Sequence, residues 1–174
     1  MNQELTVDPM VGSPLVRAAL IVTDLDRSRD FYGSLLGFTE EFASGVTRDA
    51  AVATLLGQPP GSLCRFVVVK RPGPAFGMIG LFEASEPTPP ARPAPAAAIS
   101  RGDVLLVFYV KDLDPLIGRL ESLGGRLLVP PTLLSSKRGS QREIVACDPD
   151  GVRLNLLERD PSEAWRTEGP GRVF

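Results

Sequence analysis

Two apolar runs, Val16 to Val22 and Val104 to Val110, are followed by the same alternation of polar and apolar positions. Only Arg17 interrupts the first run. Runs of this length and β-rich composition predict strands covered on at least one face. After the second run, Leu116, Ile117, Leu120 and Leu123 recur at helical spacing. Asp114 before Pro115 predicts an N-cap with proline at the first helical position. After the first run, Leu25, Ser28, Phe31, Tyr32 and Leu35 trace a matching stripe, with Asp24 or Asp26 as its cap. Ser28 is the one small polar member of that stripe. Gly37 and Gly125 stand where each helix would end on a left-handed residue.

Strands are expected after each helix. They read as Phe38–Phe42, Cys64–Lys70 and Phe76–Ala84 in the first half, and Arg126–Val129, Gln141–Cys147 and Val152–Glu158 in the second. Thr47 to Gly57 holds room for a short helix. Asp148-Pro149-Asp150-Gly151 predicts a hairpin turn, and Arg71-Pro72-Gly73-Pro74 plays the same part earlier. The polar stretch Ser135 to Ser140 reads as a solvated loop, or as a lid or anion clasp.

The two halves are related. Leu20-Ile21-Val22-Thr23-Asp24-Leu25-Asp26 is echoed by Phe108-Tyr109-Val110-Lys111-Asp112-Leu113-Asp114, and Ile79-Gly80-Leu81-Phe82-Glu83 by Leu154-Asn155-Leu156-Leu157-Glu158. Such self-similarity predicts two modules of one design. The expected organisation is a flexible N-terminus over 1–14, one α+β domain over 15–160 and a C-terminal tail over 161–174. Within the domain, module one covers 15–84, a stiff Pro/Ala linker 85–98 and module two 103–160.

Composition narrows the chemistry. The 174 residues contain no histidine. That excludes histidine-based triads, histidine zinc sites and the two-histidine iron site. A net charge of −2 gives no footprint for nucleic acid. Cys64 and Cys147 form neither a metal spacing nor a disulfide framework, so they read as reduced thiols. No apolar run approaches the roughly 20 residues that span a bilayer. A cytoplasmic protein without membrane or nucleic-acid partners is the expectation.

Two stretches carry a resemblance. One is Arg17 to Gly37, with Val22-Thr23-Asp24-Leu25 and Phe31-Tyr32 before Leu36-Gly37-Phe38. The other is Asp148-Pro149-Asp150-Gly151 before Leu154-Asn155-Leu156. With the repeat, they resemble the vicinal oxygen chelate superfamily, which includes glyoxalase I, extradiol dioxygenases and bleomycin-binding proteins. The resemblance implies two βαβββ modules curling into a U-shaped cleft, and a homodimer by family habit. It also implies metal ligands at four positions, which here read Arg17, Gly80, Leu105 and Asn155. Leucine and glycine side chains cannot ligate, arginine adds positive charge, and one neutral amide oxygen makes a poor site. The expectation is therefore a protein with neither metal nor cofactor.

By alternation, those positions share their faces with Ala19, Ile21, Met78, Phe82, Val107, Tyr109, Arg153 and Leu157, and with Gln141, Glu143, Val145 and Cys147. The candidate ligand-binding set is Arg17, Ile21, Met78, Phe82, Leu105, Val107, Tyr109, Glu143 and Asn155. Arg17 reads as a fixed cation for a carboxylate or enolate oxygen, or as a strand-end arginine paired with an acid. Glu143 reads as a general base or as a partner of Arg17. Tyr109 reads as a donor to an oxyanion or as a rim tyrosine, and Asn155 as an orienting amide or a strand residue bonding its neighbours.

Three functions follow as expectations. The first is metal-free binding of a small carbonyl- or carboxylate-bearing molecule, as in the bleomycin-binding branch. The second is a metal-independent isomerase, lyase or cyclase using Arg17, Glu143, Tyr109 and Asn155. The third is a divergent metalloenzyme of the glyoxalase or dioxygenase type.

Overall fold

In the computed structural model, which describes residues 12–91, 93–96, 98–136 and 139–160, the order strand, helix, three strands occurs twice. The elements are β1 (Arg17–Ile21), α1 (Leu25–Leu36), β2 (Glu40–Thr47), α2 (Ala50–Leu55), β3 (Leu63–Lys70) and β4 (Met78–Ser85), then β5 (Leu105–Val110), α3 (Leu113–Leu120), β6 (Arg126–Ser136), β7 (Gly139–Cys147) and β8 (Arg153–Glu158). The short α2 is the insertion expected between Thr47 and Gly57. Most of the expected N-terminal segment and all of the C-terminal tail, with Trp165 and Phe174, lie outside the described residues.

Each module forms a four-stranded sheet, ordered β1-β4-β3-β2 and β5-β8-β7-β6. The β1–β4 and β5–β8 pairs are parallel and the others antiparallel. This is an α+β architecture of two βαβββ units. One face of each sheet meets the helices. Val67, Val69, Ile79 and Leu81 of the first sheet join Phe31, Tyr32, Leu35 and Phe38 in one buried cluster. Ile144, Ala146, Leu154 and Leu156 of the second sheet, with Leu113 and Leu120 of α3, belong to the same cluster. The two modules thus share one core on their helix sides.

The helix ends repeat a single device. Asp24 caps α1 by accepting from the Arg27 amide at 2.9 Å, and Asp112 caps α3 by accepting from the Asp114 amide at 3.0 Å. The expected cap of the second helix, Asp114, therefore lies inside the first turn, and Pro115 sits two positions past the first helical residue. Proline still loses nothing there, because first-turn amides have no intrahelical acceptor. A glutamate from each module's last strand takes the next free amide. Glu83 accepts from Leu25 N–H at 2.8 Å and Glu158 from Leu113 N–H at 3.1 Å. Arg65 then bridges Glu83 and Asp26, at 3.2 and 3.0 Å, as Arg142 bridges Glu158 and Asp114, at 3.3 and 2.6 Å. The hydrogen bond from Arg142 holds the Asp114 carboxyl below the usual carboxylate range.

Three boundaries differ from the sequence expectation. The first is β2, which begins at Glu40 and runs to Thr47. Phe38 belongs instead to the end of α1, where its amide bonds the Tyr32 carbonyl at 3.2 Å and its ring is buried. The second is β6, which continues through Pro130 and Pro131 to Ser136. As the edge strand of its sheet it can carry residues without an N–H, and its register shifts between Val129 and Thr132 where the prolines fall. Ser135 and Ser140 are consequently a cross-strand pair, with hydroxyls 3.0 Å apart, at the end of a hairpin rather than in an open loop.

The third concerns the helix-ending glycines. Gly37 is left-handed, with φ 77°, but Gly125 is not. Gly124 takes that role at φ 84°. Gly125 is required for space. A Cβ there would stand 2.7 Å from Phe31 Cε2, 2.8 Å from the Cys147 carbonyl and 2.8 Å from Leu120 Cδ1. The backbone of module two presses directly on α1 of module one at this point.

The linker also has a defined place. The Pro95 carbonyl accepts from Arg126 Nη2 at 2.7 Å and the Ala98 carbonyl from Arg153 Nη2 at 2.8 Å. The segment is thereby tied to the second sheet.

Candidate functional site

The far faces of the sheets, away from the helices, carry the residues that alternation selected. Strand register places Arg17 beside Met78, Ala19 beside Gly80 and Ile21 beside Phe82. In the second sheet Leu105 pairs Arg153, Val107 pairs Asn155 and Tyr109 pairs Leu157, while Glu143, Val145 and Cys147 complete the same rows. Their alternates, Ile79 and Leu81 or Leu154 and Leu156, are the core residues. Arg17, Ile21, Val107 and Tyr109 are exposed, whereas Met78 and Phe82 are buried. Phe82 stacks on Phe66, with ring centroids 6.0 Å apart.

Arg17 lies over Gly80. A Cβ on Gly80 would meet Phe82 Cε2 at 3.0 Å and Arg17 Cδ at 3.4 Å. The Phe82 ring occupies most of the space a side chain at position 80 would need, and the arginine stem lies at contact distance beside it. No hydrogen bond or ion pair joins Arg17 to any described residue.

Glu143 is not the partner of Arg17. Its Oε1 accepts from Gln141 Nε2 at 2.7 Å and its Oε2 from Asn155 Nδ2 at 3.2 Å. Asn155 Nδ2 also donates to the Ile144 carbonyl at 3.1 Å. Glu143, Gln141 and Asn155 therefore form one neutral-amide-and-carboxylate group on the second sheet. The Tyr109 ring carries the Arg159 guanidinium, 5.4 Å from its centroid. Arg153 is buried at 6% exposure, with Nε 3.4 Å from Asp103. Its Nη1 has no partner among the described residues.

The residues do not fit a divalent cation at the four positions that the resemblance implies. Arg17, Gly80, Leu105 and Asn155 offer one cation, two side chains without donors and one neutral amide. Among the described residues no group of three His, Cys, Asp or Glu side chains could hold a metal ion. Burial lifts the Cys64 thiol above its ordinary pKa, which leaves it a poor ligand and a poor nucleophile.

A cavity of about 420 Å³ lies along β5. Met78, Leu105, Val107 and Tyr109 of the candidate set line it. Arg17, Ile21, Phe82, Glu143 and Asn155 do not. The remaining lining includes Phe38, Ile79, Leu106 and Phe108, with Arg71, Pro72, Pro74 and Phe76 from the β3–β4 connection. Because β5 is the outermost strand of its sheet, the cavity takes residues from both of its faces. Sequence reasoning missed this half of the lining. Alternation assigns each residue to one face, and a cavity beside a free strand edge obeys no such rule. Arg71 was legible only as part of a proline-braced turn.

Comparison with known proteins agrees with the architecture. A search of curated protein sequences returned no match. A glyoxalase family protein from Bacillus cereus superposes with a TM-score of 0.65 at 19% identity, covering 85% of this chain and 97% of its own. A glyoxylase/bleomycin resistance protein/dioxygenase domain from Frankia sp. gives 0.55 at 21%, covering 83% and 96%. Glyoxalase I from Zea mays gives 0.56 at 20%, covering 84% of this chain but 44% of the maize chain. Likeness at these identities speaks for the fold. The family model matches residues 15–156, and by that match the chain belongs to the Glyoxalase/Bleomycin resistance protein/Dioxygenase superfamily.

Proposed function

We propose that this chain binds a small organic molecule bearing a carboxylate or carbonyl group, without a metal ion, and that Arg17 holds the oxygen. The observation that carries this reading is the Arg17–Gly80 arrangement. Arg17 is a cation without a partner among the described residues, at a position where the resemblance implies a metal ligand, and its stem lies beside Gly80. A guanidinium presents paired N–H donors that match a carboxylate, and needs no metal to do so. Apolar residues on the same face of that sheet, Ile21 and Phe82, supply the rest of the contact.

Binding without turnover is favoured over catalysis by the state of Glu143. Both of its oxygens already accept from amides of this chain, and Asn155 spends its donor on Glu143 and Ile144. Neither group is left aimed at a reacting atom. The protein is further proposed to be cytoplasmic and to act as a homodimer.

Benzoate and benzoylformate, titrated calorimetrically into protein purified without chelator, test the proposal. The expected result is binding that survives chelator treatment, is lost on Arg17→Ala, and returns the compound chemically unchanged by mass spectrometry. Stoichiometric metal on elemental analysis, or a converted compound whose conversion fails in Glu143→Gln, would overturn it.

A further inference from the structure

The cavity along β5 has its own cation. Among the residues lining it, Arg71 alone carries a charge. No described residue bonds or pairs with it. Its position is constrained. Pro72 follows it directly, Pro74 stands two residues further on, and Arg71 Nε lies 3.8 Å from the point where a Cβ on Gly37 would be. Prolines restrict the turn that carries the arginine, and its guanidinium lies beside the glycine that ends α1. The walls beyond it are apolar: Phe38, Ile79, Leu106, Phe108 and Met78.

We propose that this cavity is a second binding site, distinct from the Arg17 face, and that it takes an amphipathic monocarboxylate with its head on Arg71 and its tail among Phe38, Ile79, Leu106 and Phe108. The size suits such a molecule, since small-molecule sites run from roughly 300 to 1,000 Å³. Charge selects further. A neutral tail alone leaves the guanidinium without an acceptor. A dicarboxylate buries a second charge against a wall that offers it no partner, which costs more than the apolar contact returns. A single carboxylate satisfies both ends.

Arg71 has a competing structural role. It stands near the C-terminal end of α1, whose last turn holds no basic residue, and a cation there is favoured by the helix dipole. The experiment separates the two. Decanoate and decanol are titrated into the full chain by calorimetry, alongside thermal melts without ligand. Wild type is expected to bind decanoate at least tenfold more tightly than decanol. Arg71→Met is expected to abolish that preference while keeping decanol affinity. Ala18→Leu, which fills the cavity from β1, is expected to weaken both ligands. Failure of wild type to bind decanoate overturns the proposal, as does an Arg71→Met variant that melts earlier yet keeps its decanoate preference. Loss of decanoate binding on Arg17→Met with Arg71→Met unaffected also overturns it, and leaves the Arg17 reading standing.

Discussion

The Tyr32 hydroxyl donates a 2.9 Å hydrogen bond to Oδ2 of Asp148, 116 residues further along the chain. It joins the helix of module one to the turn of module two inside the shared core. The other oxygen of Asp148 accepts from the amides of Asp150 and Val152, at 2.9 and 2.8 Å. Asp150 then reaches back to the Thr23 amide, the Ser28 hydroxyl and Arg27. The Asp-Pro-Asp-Gly turn is therefore a clasp between modules as well as a hairpin. It also explains Ser28, whose polar side chain sits fully buried in an apolar stripe because its hydroxyl meets Asp150.

Tyr32→Phe should destabilise the fold by about 1–3 kcal/mol, the cost of leaving a buried acceptor unpaired. The loss should depend on pH. Burial raises the Asp148 carboxyl above its ordinary pKa, while the Val152 and Asp150 amides and the Tyr32 hydroxyl pull it back down. A raised carboxyl keeps its proton in the folded chain to higher pH than in the unfolded chain. Its stabilising contribution is thus complete at acid pH and declines as pH rises through the folded value. Removing the tyrosine donor raises that value further, so the penalty of Tyr32→Phe should grow from acid to neutral pH. Urea unfolding of both proteins across that range measures it. A penalty that shrinks as pH rises would contradict the assignment.

The matched glutamates give a second prediction. Glu83→Ala and Glu158→Ala each leave one first-turn helix amide without its acceptor, at Leu25 and Leu113 respectively. Each should cost about 1 kcal/mol, the scale of a lost helix cap. Hydrogen exchange should quicken locally at the start of α1 in the first variant and of α3 in the second. Exchange that quickens uniformly over the chain in both would show that the glutamates act on the core and not on the caps.

Gly124 and Gly125 separate conformation from space. Gly125→Ala forces a methyl to within 2.7–2.8 Å of Phe31, Leu120 and the Cys147 carbonyl. The carbonyl cannot rotate away, so the expected cost is about 1–3 kcal/mol of overpacking. Gly124→Ala meets nothing closer than Pro149 Cγ at 3.4 Å and suffers only its φ of 84°, a penalty of about 1–2 kcal/mol. Because the Gly125 contact joins the modules, Gly125→Ala should also weaken the packing of α1 on module two, seen as shifted aromatic signals from Phe31. Gly124→Ala should leave those signals in place.

The repeat, the helices and the strand faces were legible because each rests on local periodicity, and the residues Leu20 to Asp26 and Phe108 to Asp114 state it twice. The family followed from the same residues. Features set by tertiary contact were hidden. Gly125 reads as a helix stop until Phe31 is placed against it. Pro130 and Pro131 end a strand by local rule, yet an edge strand keeps them. Arg65 and Arg142 look like solvated charges until each is seen between a glutamate and a first-turn aspartate. In the candidate site, the far-face residues followed from alternation, while Arg71 and Phe38 entered the cavity only through the meeting of two modules.

Arg17 and Gly80 yield the last prediction, and a double-mutant cycle decides it. If glycine at position 80 serves to seat the arginine stem, a side chain there should displace the guanidinium. Gly80→Leu places its Cβ 3.4 Å from Arg17 Cδ and 3.0 Å from the Phe82 ring. The stability cost should be about 1–3 kcal/mol, because Phe82 must give way in a close-packed row. Benzoate affinity should fall at least tenfold in Gly80→Leu and by a similar factor in Arg17→Ala. The double variant should fall no further than either single one, since both changes remove the same contact. Additive losses would mean that Gly80 shapes the ligand's apolar seat independently of Arg17. Unchanged affinity in Gly80→Leu would mean that the guanidinium reaches the ligand from a position that the glycine does not control.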